Sequence, residues 1–411
     1  VASLTPADAP LKPLAAEPPR GAGKILFALT ALQFIAAVDF MVVMPLGPHL
    51  LASLHLDARD FGWLVAGYTL AAGLAGLLAS PWLDRWPRKP TYLAVSLGLV
   101  AGAVASACAR DYAFLLGARC LAGACAGIHG GLTLAMVADV FPPAWRGRAT
   151  GRLMLAFAVA SVAGVPLSLA LANHSGWRAP FLLLAALGLP LILLAARILP
   201  APNRPAPGPA QSWFARLRGT FTVPAHRRAL GLTALLMAGA FAVIPFLGTA
   251  LVANAGVGVA QLPVVYIVGG LLTLGVAPLT GRCVDRFGAG RVFPFAAGGA
   301  ALLLVAVTHL PAVGFAVATP VAAALMAANA ARMVSALSLI TASVEPARRA
   351  GFLAANAAVQ HLASGAGTLL AGLVLQGGSG EPLRSFGTVG ILAAGATLAS
   401  LAVAARIRPV A

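Results

Sequence analysis

Two stretches decide how this chain is read: "SPWLDRWPRKP" at Ser80–Pro90 and "GRCVDRFGAGR" at Gly281–Arg291. Each follows the end of a long apolar run, carries an Asp-Arg pair and closes on basic residues before the next apolar run begins. Asp84-Arg85 in the first aligns with Asp285-Arg286 in the second, about 200 residues on. The same offset pairs "VVMPLG", containing Pro45, with "AVIPFLG", containing Pro245, and "PPAWRGR" (Pro142–Arg148) with "EPARRAG" (Glu345–Gly351). An internal repeat of this period means two related halves, and parallel half-repeats in a membrane place a binding site between them near the midplane.

The solvent of those halves follows from composition. Of 411 residues, 60% are hydrophobic and 9% charged, with mean hydropathy +0.91. A soluble domain carries roughly 25% charged residues, so this chain lacks the polar surface to cover a globule in water. It reads as an all-α integral membrane protein. A spanning helix needs about 20 mostly apolar residues, and twelve segments qualify: 25–50, 61–83, 91–109, 113–141, 149–172, 179–199, 229–253, 262–281, 292–309, 313–341, 350–375 and 385–405.

Basic residues test that count. Twelve spans put both termini on one side; taken as cytoplasmic, that side receives 22 of the 28 Lys and Arg residues, and the opposite side only Arg59, Arg110, Arg178 and Arg384. The asymmetry is that of a multi-pass protein of the cell inner membrane with both termini cytoplasmic. The net charge of +17 is therefore topological, and no nucleic-acid partner is expected. Residues 1–24 form a Pro- and Ala-rich tail expected to be disordered. Bundles at 25–199 and 229–406 are joined by a linker at 200–228, Pro-rich, then basic and amphipathic, expected to lie on the membrane surface. Residues 407–411 form a short cytoplasmic tail.

The repeated Asp-Arg loops resemble the G-x-x-x-D-R-x-G-R-[KR] loop of the major facilitator superfamily. The second copy keeps Gly281, Asp285, Arg286 and Gly288; the first keeps Asp84, Arg85, Arg88 and Lys89, with Ser80 and Pro87 at positions usually held by glycine. "RCLAGACAG" resembles the family's R-x-x-x-G-x-x-x-G pattern through Arg119, Gly123 and Gly127. "AGVPLS" resembles the Gly/Pro antiporter motif through Gly164 and Pro166, with Ser168 where a second glycine is common. "GWRAPF" resembles the G-W-R-x-x-F of drug- and sugar-efflux members through Gly176, Trp177, Arg178 and Phe181. The resemblance implies a twelve-helix, two-bundle fold, a monomer and efflux of a small organic molecule. It also implies that the Asp-Arg loops, with Arg88, Gly164 and Pro166, take part in gating. On their own residues, the loops can cap helix ends or form ion pairs, Asp84 with Arg146, Arg148 or a helix N-terminus. The small residues permit close helix contact.

One acid lies well inside a span: Asp39, in "FIAAVDFMVVMPLGPHL" (Phe34–Leu50). A carboxylate at the bilayer centre costs roughly 2.5–3.5 kcal/mol on insertion scales, so it needs a partner, a cavity or a proton. Asp39 lies roughly 18 Å below the outer end of its helix, Arg119 roughly 10 Å below that of the fourth and His129 roughly 25 Å. Asp39–Arg119 is the expected intramembrane pair. Asp39, Arg119 and His129 are the candidate proton-coupling residues. The repeat counterpart of Asp39 is Gly239, so any coupling machinery is asymmetric. Asn329, Arg332, Asn356, Gln360 and His361 are the candidate substrate-binding wall of the second half.

Cys125 and His129 share a helix face, and Met41 and Met44 lie on the first helix, a soft-ligand set. No Met-x-x-x-Met or Cys-x-x-Cys spacing accompanies them, and no metal is expected. No nucleotide-binding loop, metal-hydrolase motif or nucleophile elbow occurs, so neither enzyme chemistry nor a cofactor is expected. The function expected is proton-coupled antiport of a small organic molecule by alternating access. The alternatives are a symporter or uniporter for import and, in another class, a transporter-like sensor. The expected partners are substrate, protons and the lipid bilayer.

Overall fold

A computed structural model describes residues 21–83, 86–201, 221–345 and 349–407. The tail before residue 21, Asp84 and Arg85, the linker core at 202–220 and the last four residues lie outside the described residues.

Among the described residues the first half comprises α1 (Ala22–Val42), α2 (Gly47–Leu54), α3 (Ala58–Leu83), α4 (Arg88–Cys108), α5 (Tyr112–Val140), α6 (Pro143–Val159), a π turn (Ala160–Gly164), α7 (Val165–Ser175) and α8 (Ala179–Ile198). The second comprises α9 (Pro224–Ala253), α10 (Leu262–Phe287), α11 (Ala289–Thr308), α12 (Gly314–Ala342), α13 (Arg349–Val374) and α14 (Phe386–Ala404). Twelve helical stretches are long and apolar enough to span a bilayer. Two isolated backbone bridges are the β-type pairings of the described residues.

Departures from the expected spans have local causes. The first breaks at Val43–Leu46, where Pro45 has no N–H to give, and α2 resumes beyond it. The fifth begins at Pro143 rather than 149, and α9 at Pro224 rather than 229, each with proline in its first turn, where a missing N–H is harmless. Their opening turns are basic, so hydropathy does not register them. The fifth span also re-registers through its π turn. Pro166 cannot donate to the ladder, and a π-bulge absorbs the lost bond.

The core is divided unequally. At the end of the molecule opposite the termini, one apolar cluster takes residues from both halves, including Leu46, Phe61 and Leu64 with Phe246, Leu247 and Leu375. At the end carrying the termini each half has a core of its own. Leu29, Tyr92, Met136 and Leu153 belong to one, and Leu232, Phe293, Ile340 and Phe352 to the other.

Backbone contacts reinforce the shared end. Ala58 N–H donates to the Gly377 carbonyl at 3.0 Å, Asp57 bridges Gly378, and Asn173 Nδ2 donates to the Val259 carbonyl at 3.4 Å. A Cβ on Gly62 would lie 3.3 Å from the Gly372 Cα, so α3 and α13 approach almost backbone to backbone. The two halves are joined at one end and packed separately at the other.

Candidate functional site

Helix α5 meets α3 through a face spaced four residues apart. Added Cβ atoms on Gly123 and Gly127 would run into the carbonyls of Tyr68 and Ala72. Arg119, one turn before Gly123, is thereby laid over α3, with its guanidinium carbon 4.5 Å from the Tyr68 ring centroid and 5.6 Å from that of Phe181. The remaining side of the guanidinium reaches α1. Nη1 donates to Asp39 Oδ1 at 2.8 Å, and Nη2 to the Asp39 backbone carbonyl at 2.9 Å. Both residues are buried, Arg119 at 1% and Asp39 at 2% exposure.

Gly164 holds α1 at this level. A Cβ there would collide with Val38, the residue before Asp39, and come within 3.3 Å of Phe34. Ser168 donates its hydroxyl to the Gly164 carbonyl at 2.8 Å. The Gly/Pro stretch thus borders the Asp39–Arg119 pair.

The pair is satisfied only in part. Asp39 Oδ2, Arg119 Nε and the Tyr68 hydroxyl have no hydrogen-bond partner among protein atoms.

Phe40, next to Asp39, extends the site across the molecule. Its ring lies 5.6 Å from Tyr68 in its own half, and 6.1 Å from Phe241 and 6.4 Å from His361 in the other. His361 is the one predicted wall residue that meets the first half in this way. Phe40, Tyr68 and Phe241 were not singled out by sequence, because an aromatic residue in an apolar helix carries no mark; adjacency to Asp39 was the only signal for Phe40.

The second half holds a cation without a matching acid. Arg332, 1% exposed, donates through Nη1 to Thr397 Oγ1 at 2.7 Å and through Nη2 to Asn329 Oδ1. Thr397 Oγ1 lies 3.5 Å from where a Cβ of Gly239 would stand. A neutral hydroxyl thus sits near the repeat counterpart of Asp39. Asn356 is turned to a different partner, accepting from the Thr233 hydroxyl at 2.6 Å. Gln360 shares a small cavity with Thr233, Met237 and Met333. The structure joins Asn329 to Arg332, while Asn356 is bonded to Thr233.

His129 lies apart from Asp39. It is ten residues beyond Arg119, roughly 15 Å along α5, and its ring stacks on Tyr92 with centroids 5.0 Å apart. Neither ring nitrogen has a protein partner.

At the end carrying the termini, Arg88 Nε pairs with Asp139 Oδ2 at 3.1 Å. Arg146 donates to the carbonyls of Phe141 and Ala138 at 3.1 and 2.7 Å, closing the C-terminus of α5 as a basic residue does; its expected partner Asp84 lies outside the described residues. Arg148 lies over Trp145. Asp285 and Arg286 are exposed, with Arg286 over the Phe287 ring at 5.1 Å. Arg178 donates to the Ala109 carbonyl at 2.7 Å while lying over Trp177, so this part of the "GWRAPF" stretch ties α8 to the end of α4. The Cys125–His129 pair gathers no further ligands; no group of three His, Cys, Asp or Glu residues fit to hold a metal occurs among the described residues.

Known proteins place this architecture. A transporter of Bacillus subtilis (strain 168), the uncharacterized MFS-type transporter YceJ, is 26% identical over 258 residues, which cover 63% of this chain and 66% of that one. Two further relatives, from Bacillus subtilis and Mycobacterium tuberculosis, are matched over about a third of their length. The chloramphenicol efflux pump MT0201 of Mycobacterium tuberculosis (strain CDC 1551 / Oshkosh) is 28% identical over 324 residues, 73% of each chain. Among solved structures, a bacterial homolog of the human lysosomal transporter Spinster superposes with a TM-score of 0.73 at 17% identity. The match covers 93% of this chain and 94% of that one, and shows the fold. The family model of the Major Facilitator Superfamily matches residues 29–327. The chain belongs to the Major Facilitator Superfamily, a family of membrane transporters and not of enzymes.

Proposed function

We propose that the protein is a proton-coupled exporter of a small organic molecule, working by alternating access as a monomer in the inner membrane with both termini cytoplasmic. The observation that carries this reading is the buried Asp39–Arg119 pair with its unclaimed carboxylate oxygen. Efflux is supported by similarity to a chloramphenicol efflux pump, and orientation by the distribution of basic residues.

The proposed cycle follows from the contacts. With Asp39 ionised, the ion pair ties α1 to α5. A proton on Asp39 removes the charge from the pair and leaves Arg119 with a backbone carbonyl and the Tyr68 face. A buried guanidinium that loses its anion is strongly destabilised, so α1 shifts relative to α5 to rebalance it. Phe40 rides on α1 and packs against Phe241 and His361, so the shift alters the contact between halves. Substrate and proton then exclude one another by favouring opposite arrangements, which is the requirement for exchange. Asn329, Arg332, Asn356, Gln360 and His361 form the second-half wall in this reading. His129 is a secondary proton site, and the Asp-Arg loops, with Arg88, act where the halves separate at the termini-bearing end.

Everted vesicles from cells expressing the chain test the reading. Uptake of labelled chloramphenicol, driven by respiration and collapsed by a protonophore, is the expected result. Uptake that survives the protonophore removes proton coupling; a vesicle set without uptake of chloramphenicol or of a panel of small organic drugs removes efflux.

A further inference from the structure

On the outer surface of the second half, a cavity of about 430 Å³ lies between α10 and α11, with Ala331 of α12 also lining it. That volume is within the range of small-molecule sites. It lies outside the candidate transport site. Its walls are apolar: Leu279, Phe287 and Phe295 line it and are 57%, 50% and 84% exposed. The Thr280 hydroxyl is spent on the Val276 carbonyl at 2.8 Å. Such a surface on a spanning helix faces hydrocarbon. Leu279 precedes Phe287 by eight residues, so the groove runs roughly 12 Å inward from the helix end.

One charged residue lines the groove, Arg291, in the first turn of α11. It makes no ion pair with described residues. Its surroundings hold two more cations, Arg282 and Arg286, against one acid, Asp285. An apolar slot that ends at a guanidinium at the membrane boundary matches the shape and charge order of one lipid: a chain in the slot and a phosphate at its mouth.

We propose that this groove binds an anionic phospholipid, its acyl chain lying along Leu279, Thr280 and Phe295 and its headgroup phosphate held by Arg291. All phospholipids carry a phosphate, but a zwitterionic headgroup brings its own cation into a neighbourhood that is already positive. A basic residue near the membrane surface favours an anionic lipid by about fivefold. The proposal does not depend on which molecule the protein transports or in which direction.

The test is native mass spectrometry of the full chain in mild detergent, titrated with phosphatidylglycerol or phosphatidylcholine. The expected result is one lipid site with about fivefold tighter binding of phosphatidylglycerol. That preference disappears in Arg291→Gln and persists in Arg291→Lys, which keeps the charge if glutamine disturbs folding. Ala296→Trp, which fills the slot, removes the site for both lipids. Equal affinity for the two lipids overturns the proposal, as does a preference undiminished by Arg291→Gln or a site undisturbed by Ala296→Trp.

Discussion

Arg119 is held by three kinds of contact at once: a carboxylate, a backbone carbonyl and an aromatic face. Removing it by Arg119→Ala leaves Asp39 buried and unpaired, a loss of about 3–5 kcal/mol for a buried pair broken on one side. The expected outcome is a clear fall in the midpoint of thermal unfolding in detergent, and Asp39→Asn in the same chain recovers part of it because the stranded charge is gone. Arg119→Lys keeps the charge but lacks the planar fork that spans both acceptors; it is expected to fold nearly as well and to transport poorly. Both charged partners were legible in sequence, because an ion inside an apolar span is conspicuous and depth along a helix is simple arithmetic. Tyr68, Phe40 and Thr397 were not, since aromatic and hydroxyl residues are ordinary in membrane helices. Only the packing of α3, α9 and α14 reveals what they touch.

At the scale of the helix, close approach is set by absent side chains. Gly123→Ala and Gly127→Ala each drive a methyl group into the backbone of α3, where no rotamer change relieves the contact. An overpacked site of this kind costs about 1–3 kcal/mol, and the melting midpoint of either variant is expected to drop. Gly117→Ala, on the same helix with nothing within 4 Å of its Cβ position, is expected to be neutral or mildly stabilising, since alanine favours helix by about 1 kcal/mol over glycine. Equal behaviour of the three variants would contradict this account of the α3–α5 contact. Span number and order were readable from hydropathy and charge. The basic starts of α6 and α9 were not, because a helix that emerges from the bilayer keeps its hydrogen bonds while losing its apolar pattern. The expected first span, 25–50, runs straight through Pro45; only the structure shows the chain breaking there and resuming as α2.

For the whole molecule, the deciding feature is the unequal core, shared at one end and divided at the other. Opening the shared end requires breaking the strap between Ala58 and Gly377. Gly377 has φ +120°, and a Cβ there would lie 2.7 Å from the Pro382 carbonyl. Gly377→Ala is therefore expected to distort the strap and favour separation. Spin labels at Ser53 and Ser379, both exposed near that end, should show a longer or broader distance distribution in the variant. An unchanged distribution would mean the strap does not help hold the halves together. The sequence repeat made two halves legible. Which end they seal was not, because the state of the gate is a matter of packing between segments distant in sequence, which charge and hydropathy do not record.

In the proposed cycle Asp39 links proton movement to exchange. Purified protein in proteoliposomes can be assayed twice, for substrate exchange at equal pH and for substrate accumulation driven by a pH gradient, with the native chain beside Asp39→Asn. Asp39→Asn is expected to keep exchange, because substrate carries the halves between arrangements without a proton step, and to lose gradient-driven accumulation, because the amide neither takes up nor releases a proton. Accumulation in Asp39→Asn equal to that of the native chain would contradict it and make the buried pair structural.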